Sequence, residues 1–252
     1  MNSRLSGPAT TTSMNRRQPR LPLLTSIYLL GLAIFITPTL NPLVSGQSRG
    51  VLKIYLARHG QTDWNFERRL QGSTDTALNS AGLKQAAILA ERLKGVHLEM
   101  VYSSTLRRSR DTAEIARGDA QLKTLIGLNE RSLGKFEGKW LDRAKDPATA
   151  QEYPKRSRNP DDELDGGESW NQFYERVRAA FADIRSRHSS GAILIVAHAG
   201  TNQMILREIF NLRLEQALSI KQGNDELYLI ELDAANPPRL WKLITEANRS
   251  QL

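Results

Sequence analysis

Apolar positions from residue 50 onwards alternate between short strand-like runs and longer stretches with helical spacing. Val51–Ala57 and Met100–Ser103 have the pattern of strands, and Ala192–Ala197 is apolar throughout, which is typical of a strand buried on both faces. Four segments between and after these runs repeat apolar residues every three or four positions. The predicted helices are Asn79–Lys94, Thr105–Arg117, Ser169–His188 and Thr201–Leu212.

The remaining segments complete the predicted architecture. Asp225–Leu232 and Arg239–Ile244 read as strands that can pair antiparallel across the intervening turn. Residues 142–168 are polar and interrupted by Pro and Gly, which indicates a lid or surface excursion. Strands that alternate with helices predict an α/β domain over 51–252, with three α/β/α layers and a mostly parallel central sheet.

The first 50 residues have a different character. Residues 1–20 are basic and polar, residues 21–36 are strongly apolar, and no charge occurs between Arg20 and Arg49. This pattern predicts a leader that is either a cleaved signal peptide or a retained transmembrane anchor. A buried N-terminal helix is the alternative. Because the basic flank stays on the cytoplasmic side, we expect the domain after residue 50 to be membrane-anchored or exported.

The net charge of +8 is distributed unevenly. Residues 1–46 contain four arginines and no acidic residue, so half of the excess belongs to the leader. No nucleic-acid recognition motif accompanies the rest, and we expect no nucleic-acid partner. The chain has no cysteine, which excludes disulfides, thiolate nucleophiles and cysteine-ligated metals.

Two predicted strands end in similar sequences. Arg58-His59-Gly60-Gln61-Thr62 follows the first strand, and His198-Ala199-Gly200-Thr201 follows the strand Ala192–Ala197. Ligands of open α/β sheets bind at the carboxyl ends of strands, so the two histidines are expected to converge. A third strand is followed by three arginines at the start of a helix: Arg107, Arg108 and Arg110. Imidazoles and guanidinium groups together predict a phosphate pocket that needs no metal and no cofactor.

These residues resemble a known family. Arg58-His59-Gly60-Gln61-Thr62 resembles the Arg-His-Gly-x-Thr motif of the histidine phosphatase superfamily, in its phosphoglycerate mutase-like branch of broad-specificity phosphatases. Further matches follow in the family's order and together span about residues 51–232. They lie at Asn65, 70–72, 103–109, 128–130, 134–138, 166–169 and 196–198. The resemblance implies a phosphoglycerate mutase-like fold.

The resemblance also implies roles for individual residues. His59 corresponds to the nucleophile that forms a phosphohistidine, with its other ring nitrogen held by a backbone carbonyl. Arg58, Arg108 and His198 correspond to the groups that hold the phosphoryl oxygens. Glu130 corresponds to the proton donor to the leaving oxygen, which later activates water.

Three further positions are weaker candidates for substrate contacts: Asn65, Gln61 and the backbone of Ala199. Thr105 stands where the family usually has aspartate, and we expect it to cap the following helix. No metal ligands are predicted.

The activity implied is that of a metal-independent phosphoric monoester hydrolase of the histidine acid phosphatase type, acting on a small-molecule phosphomonoester. Two alternatives stay open: a phosphoglycerate mutase-type phosphotransferase and a non-catalytic, membrane-anchored module that binds a phosphorylated ligand. The interval between Glu130 and His198 holds Lys155, Arg156 and Arg158 but no recognisable paired-arginine motif of the mutases, which favours hydrolysis.

Overall fold

The computed structural model describes residues 50–245 and 248–251 of the chain. The predicted leader, including the apolar stretch at 21–36, lies outside the described residues apart from its last position. Within the described ranges, none of the helices combines the length and the apolar character needed to cross a membrane.

The described part of the domain contains seven strands, seven α-helices and two short 3₁₀ helices, Ile126–Leu128 and Gly134–Phe136. The strands are β1 (Leu52–Arg58), β2 (Met100–Ser103), β3 (Leu122–Thr124), β4 (Gly191–Ala197), β5 (Leu227–Asp233), β6 (Asn236–Thr245) and β7 (Asn248–Gln251). The helices are α1 (Asp63–Phe66), α2 (Ser80–Arg92), α3 (Arg107–Ala116), α4 (Pro147–Arg156), α5 (Trp170–Arg187), α6 (Ala199–Phe210) and α7 (Leu214–Ser219).

The strands form one mixed sheet in the order β3-β2-β4-β1-β5-β6-β7. The pairs β3–β2, β2–β4 and β4–β1 are parallel, whereas β1–β5, β5–β6 and β6–β7 are antiparallel. We expected a mostly parallel sheet, whereas only half of the strand pairs are parallel. The change occurs at β5, which follows α6 and α7 and enters beside β1 in the opposite direction. Beyond it, the predicted antiparallel pairing of the last two sequence-predicted strands is confirmed as β5–β6.

Helices cover both faces of the sheet, which confirms the three-layer α/β/α fold. Side chains of α2 and α3 pack on one face, and those of α5, α6 and α7 pack on the other. The predicted doubly buried strand is β4, where Ile193, Leu194, Ile195 and Val196 have no exposed surface. Full burial of one such side chain stabilises the folded state by roughly 1.5–3 kcal/mol. Since four consecutive residues are fully buried, β4 forms the centre of the core.

Helix α5 begins where the sequence predicts. The Ser169 side chain accepts a hydrogen bond from the backbone N–H of Gln172, and the Gln172 side chain accepts one from the Ser169 N–H, which is a capping box. The apolar face of α5 is buried over its whole length. It consists of Phe173, Val177, Phe181 and Ile184.

Two local predictions need correction. Thr105 does not cap α3, because the helix starts two residues later, with Leu106 at its N-cap. The Thr105 backbone N–H and hydroxyl instead donate to Asn129 Oδ1 at 2.9 Å. The segment 142–168 is more ordered than a polar surface excursion: it contains α4, and Leu164 is fully buried in a small cluster with Phe136 and the partly buried Tyr153.

Candidate active site

The parallel pairing of β1 with β4 brings the two histidines together. The register places Arg58 opposite Ala197, so the next residue of each strand is a histidine. The ring centroids of His59 and His198 are 5.1 Å apart, with the ring planes at 57°. The His59 backbone N–H also donates to the Ala197 carbonyl at 2.9 Å. The predicted convergence of the two histidines at the carboxyl ends of neighbouring strands is confirmed.

Hydrogen bonding fixes the proton on the His59 ring. Nδ1 lies 2.7 Å from the Gly60 carbonyl oxygen, which can only accept, so Nδ1 carries the proton and Nε2 has a free lone pair. The Gly60 backbone is itself fixed, since its N–H donates to Thr112 Oγ1 at 2.9 Å. A Cβ atom at Gly60 would lie 2.4 Å from the Gly82 carbonyl oxygen, so this close approach requires glycine.

His198 is held by Ser104, which lies in the motif at 103–109 and to which the sequence assigned no role. Its Nε2 lies 2.8 Å from Ser104 Oγ, and that oxygen accepts a hydrogen bond from the Leu106 N–H. In the tautomer with the ring proton on Nδ1, the Ser104 hydroxyl donates to Nε2. Among the described residues the buried Nδ1 has no hydrogen-bond partner. In this tautomer His198 offers an N–H donor beside the His59 ring.

Two arginines flank the histidines. Arg58 donates through Nη1 to the Gln222 carbonyl at 3.0 Å. Arg108 donates to the carbonyls of Thr74 and Gly72 at 2.7 and 2.8 Å and is 1% exposed. Burial lowers the pKa of Arg108 to about 10, so it is still charged at neutral pH. The choice of Arg108 fits the structure, because the Arg107 side chain is 59% exposed.

Both imidazoles are kept neutral. Burial and then the positive charges of Arg108 and Arg58 hold the pKa of His59 well below its ordinary value. Burial and Arg108 act in the same direction on the pKa of His198. A neutral ring with an unprotonated nitrogen is what nucleophilic attack by histidine requires.

Glu130 and Glu137 have different surroundings. The Glu130 carboxylate lines the cleft and accepts hydrogen bonds from the Gly200 and Arg131 backbone N–H groups at 3.1 and 2.9 Å. Glu137 instead binds the loop around Ser73: its Oε1 accepts from the backbone N–H and the hydroxyl of Ser73, both at 2.8 Å. Glu130 is thus placed to meet a ligand, whereas Glu137 holds two loops together.

Of the three weaker candidates, only Asn65 lines the cleft. Asn65 lines the cleft, although its Oδ1 is engaged in the capping box of α1 and only its amide NH₂ is available for a ligand. Gln61 does not line the cleft, and its Oε1 accepts a hydrogen bond from Asn79 at 3.1 Å. Ala199 is the first residue of α6 and does not line the cleft, whereas Gly200 and Gln203 on the same helix do.

Sequence reasoning gave no role to several further residues of the cleft, which has a volume of about 230 Å³. Arg131, Tyr153, Trp170 and Gln203 are among them. The position of Trp170 at the start of α5 gave no sign that it lines the cleft. Arg131 directly follows Glu130, and that position was the one available signal. Within the described ranges, no three His, Asp or Glu side chains cluster so that they could hold a metal ion.

The buried histidines predict that the protein loses stability in mild acid. Their pKa values are lowered by folding, so below about pH 6.5 the unfolded chain takes up protons that the folded chain does not. The free energy of unfolding should fall with pH by roughly 1.4 kcal/mol per pH unit for each such proton. Denaturant titrations between pH 7.5 and 5 measure this slope.

The matched variants separate these histidines from other titrating groups. The double variant His59→Gln/His198→Gln should have a flatter pH dependence of stability, whereas His97→Gln, at an exposed site, should not. An unchanged slope in the double variant would contradict the assignment of two neutral buried rings.

Comparisons with known proteins identify the family of the chain. The family model of the histidine phosphatase superfamily (branch 1) matches residues 54–242. A metal-independent phosphoserine phosphatase of Arabidopsis thaliana is 37% identical over 174 residues, which are 67% of this chain and 71% of that protein. A probable phosphoglycerate mutase, GpmB of Klebsiella pneumoniae, is 32% identical over 150 residues, 59% of this chain and 70% of that protein.

Solved structures show the same fold. Bacillus stearothermophilus YhfR superposes with a TM-score of 0.64 at 32% identity, over 73% of this chain and 92% of that one. A mycobacterial glucosyl-3-phosphoglycerate phosphatase, solved with VO₃, has a TM-score of 0.65 at 27% identity, over 75% and 96% of the two chains. The fold is thus phosphoglycerate mutase-like, and the chain belongs to the histidine phosphatase superfamily, branch 1.

Proposed function

We propose that the protein is a metal-independent phosphomonoester phosphatase that works through a phosphohistidine on Nε2 of His59. The observation that carries the proposal is the His59 ring, which is neutral, fixed through Nδ1 by the Gly60 carbonyl, and exposed to the positive charges of Arg108 and Arg58. The similarity of the chain to a metal-independent phosphoserine phosphatase of Arabidopsis supports hydrolysis of a phosphate ester without a metal. The lowered pKa of His59 keeps the nucleophile available in mild acid, as an acid phosphatase requires.

The first step transfers the phosphoryl group to the enzyme. His59 Nε2 attacks phosphorus, the N–P bond forms as the P–O bond to the leaving group breaks, and protonated Glu130 gives its proton to the leaving oxygen. Arg58, Arg108 and the Nδ1–H of His198 hold the phosphoryl oxygens, and the Asn65 amide is a further donor. Their charges and N–H groups are in place before the reaction, so little reorganisation opposes it.

The second step releases phosphate. Water attacks the phosphorus of phosphohistidine, the Glu130 carboxylate takes its proton, and the P–N bond breaks to return neutral His59. Both steps use Glu130 at the same position, first as acid and then as base.

Hydrolysis is favoured over transfer to a second substrate position. Arg156, a candidate for gripping a second phosphate, is bound at the surface by Asp162 at 2.6 Å and Asp165 at 2.8 Å. Lys155 and Arg158 are exposed and do not line the catalytic cleft. A phosphoglycerate mutase activity is the second candidate, since the Klebsiella relative bears that name.

We expect the purified protein to release phosphate from p-nitrophenyl phosphate in the presence of EDTA, and His59→Ala to reduce the rate at least 10³-fold because the nucleophile is lost. Rapid quenching with a ³²P-phosphomonoester should trap an acid-labile, base-stable phosphoenzyme in the wild type. His188→Ala, a histidine outside the cleft, is the control.

Three results would count against the proposal: full activity in His59→Ala, loss of activity with EDTA, or no phosphoenzyme. Exchange of phosphate between the positions of phosphoglycerate, without release, would favour the mutase.

Glu130→Gln should slow hydrolysis in proportion to how much the leaving group needs a proton. We expect a loss of about 10²–10⁴-fold with glycerol 3-phosphate, whose alkoxide is a poor leaving group. The loss in the phosphorylation step should be much smaller with p-nitrophenyl phosphate, and the rate constant of the p-nitrophenol burst in stopped-flow kinetics reports that step. Glu137→Gln, which disturbs the loops, should affect both esters equally; equal losses in Glu130→Gln would remove the proton-donor role.

We further propose, from the pattern of residues 1–50, that the domain is anchored at or exported across a membrane by its N-terminal segment. The full chain expressed in a bacterial host should fractionate with the membrane or the exported proteins. The variant Leu29→Arg/Leu30→Arg, which interrupts the apolar stretch, should accumulate in the cytosol. Cytosolic wild-type protein would overturn this proposal without affecting the phosphatase.

A further inference from the structure

The side chain of Arg58 depends on one carbonyl for its direction. Arg58 lines the catalytic cleft, and among the described residues its guanidinium has a single hydrogen-bond partner, the backbone carbonyl of Gln222 at 3.0 Å. Arg108, by comparison, donates to two carbonyls. A long, flexible side chain takes its direction from the groups that bind its planar donors. The position of the Gln222 peptide therefore decides where the remaining donors of Arg58 point.

Gln222 lies in the loop between α7 and β5, and its own side chain fixes this α7–β5 loop to the sheet. The residue is 7% exposed. Its Nε2 donates to the carbonyls of Leu56 and Glu226 at 2.9 and 3.3 Å. Its Oε1 accepts a hydrogen bond from Asn202 Nδ2 at 2.7 Å. One buried side chain thus connects the peptide that holds Arg58 to β1 and to α6.

Two asparagines bind the next carbonyls along β1. Asn202 Nδ2 also donates to the Ala57 carbonyl at 3.0 Å, and Asn224 Nδ2 of the α7–β5 loop donates to the His59 carbonyl at 2.7 Å. The pairing of β1 with β5 ends at Ala57, opposite Leu227. Where this pairing ends, side-chain amides rather than a strand bind the backbone of β1, as far as the catalytic histidine.

The acceptors fix which way the amides of Gln222 and Asn202 point. The carbonyls of Leu56 and Ala57 can only accept, so the NH₂ group of each amide must face them. In this orientation Asn202 Oδ1 is buried without a hydrogen-bond partner among the described residues. A buried acceptor without a partner destabilises the folded chain, so the network that fixes Gln222 is not optimal for stability.

These amides cannot act by touching a ligand in the catalytic cleft. Gln222, Asn202 and Asn224 are all absent from its lining, whereas Arg58 and His59 belong to it. Gln222 also lies in none of the sequence motifs at which the chain resembles its family. Any effect of Gln222 on the reaction must therefore pass through the residues that its hydrogen bonds hold, and Arg58 is the one among them that faces the cleft.

We propose that Gln222 is a positioning residue, which directs the Arg58 guanidinium at the phosphoryl group during its transfer to His59. This inference rests on the proposed phosphatase function and adds the α7–β5 loop to the parts of the chain that serve it. The donors of Arg58 are then in place before charge develops on the phosphoryl oxygens, so the side chain does not have to be ordered during the reaction.

The test is a double-mutant cycle of Arg58→Ala and Gln222→Met. Gln222→Met keeps the length of the side chain and removes its amide, so kcat/KM for p-nitrophenyl phosphate should fall roughly tenfold to a hundredfold as Arg58 loses its direction. In the Arg58→Ala background the same substitution should change kcat/KM less than about twofold, because it acts through Arg58. Equal losses in the two backgrounds, or no loss in the wild-type background, would overturn the inference.

An inhibitor constant separates positioning from a mere loss of folded protein, since it does not depend on how much of the enzyme is active. Vanadate adopts the five-coordinate geometry of the transition state, which Arg58 is proposed to stabilise. Its inhibition constant should rise in Gln222→Met by about the factor that kcat/KM loses. An unchanged inhibition constant would contradict the positioning role.

Gln172→Met is the matched control, because it removes a carboxamide that caps α5 and has no contact with Arg58. It should lower the melting temperature and change kcat/KM and vanadate inhibition less than about twofold. If Gln222→Met does not fold, Asn202→Ala, which removes the donor to Gln222 Oε1, replaces it in the cycle with Arg58→Ala. The loss should again disappear in the Arg58→Ala background, and additive losses would again overturn the inference.

A binding measurement keeps this inference separate from the phosphatase itself. If the wild type does not hydrolyse p-nitrophenyl phosphate, the proposed function fails, and Gln222 is judged by calorimetric titration with vanadate. The wild type should then bind vanadate more tightly than Gln222→Met, and the substitution should have no further effect in Arg58→Ala. Equal affinities of the wild type and Gln222→Met, or no binding at all, would overturn the inference.

Discussion

The parallel pairing of β1 with β4 is the constraint on which the site depends. Because Arg58 lies opposite Ala197, a shift of one residue in this register would turn one histidine to the other face of the sheet. The apolar side chains of both strands fix the register, since they are buried between two helical layers. The packing of the core thus determines the distance between His59 and His198.

The second constraint is electrostatic. Arg58 and Arg108 lie close to two neutral imidazoles, and the backbone carbonyls that accept from them offset only part of the cost of burying positive charge. Burial and then these two charges lower the pKa of His59 and keep its ring neutral. Under the proposed function, the same positive charges attract the phosphate ester, so substrate binding and the neutrality of His59 share one physical cause.

The sequence predicted most of what depends on local pattern. The doubly buried strand β4, the capped helix α5 and the two histidines after neighbouring strands could be read from periodicity and motif order. The direction of β5 could not, because an antiparallel strand after two helices has the same apolar pattern as a parallel one. Thr105 was read as a cap, but its hydrogen bonds to Asn129 depend on a contact between segments far apart in the chain.

Three of the cleft residues that sequence reasoning left without a role come from different segments of the chain. Tyr153 belongs to α4, Trp170 to the start of α5 and Gln203 to α6. Their spacing within each element is consistent with ordinary packing or a surface position. Only the folded chain brings them to one cleft with the buried Arg131. The family motif contains the residues proposed to act on phosphate, whereas these side chains line the rest of the cleft.

The first turns of α6 connect three parts of the site that lie in different sequence motifs or in none. His198 precedes the helix, the Gly200 N–H holds Glu130, and Gln203 forms part of the outer wall. A Cβ atom at Gly200 would lie 2.5 Å from Glu130 Oε1, so the helix and the carboxylate are in direct contact. Met204 and Ile205 are buried on this helix, so a change in their packing would displace His198, Gly200 and Gln203 together. Under the proposed roles, one core substitution in α6 would then change phosphate binding, proton transfer and substrate fit at the same time.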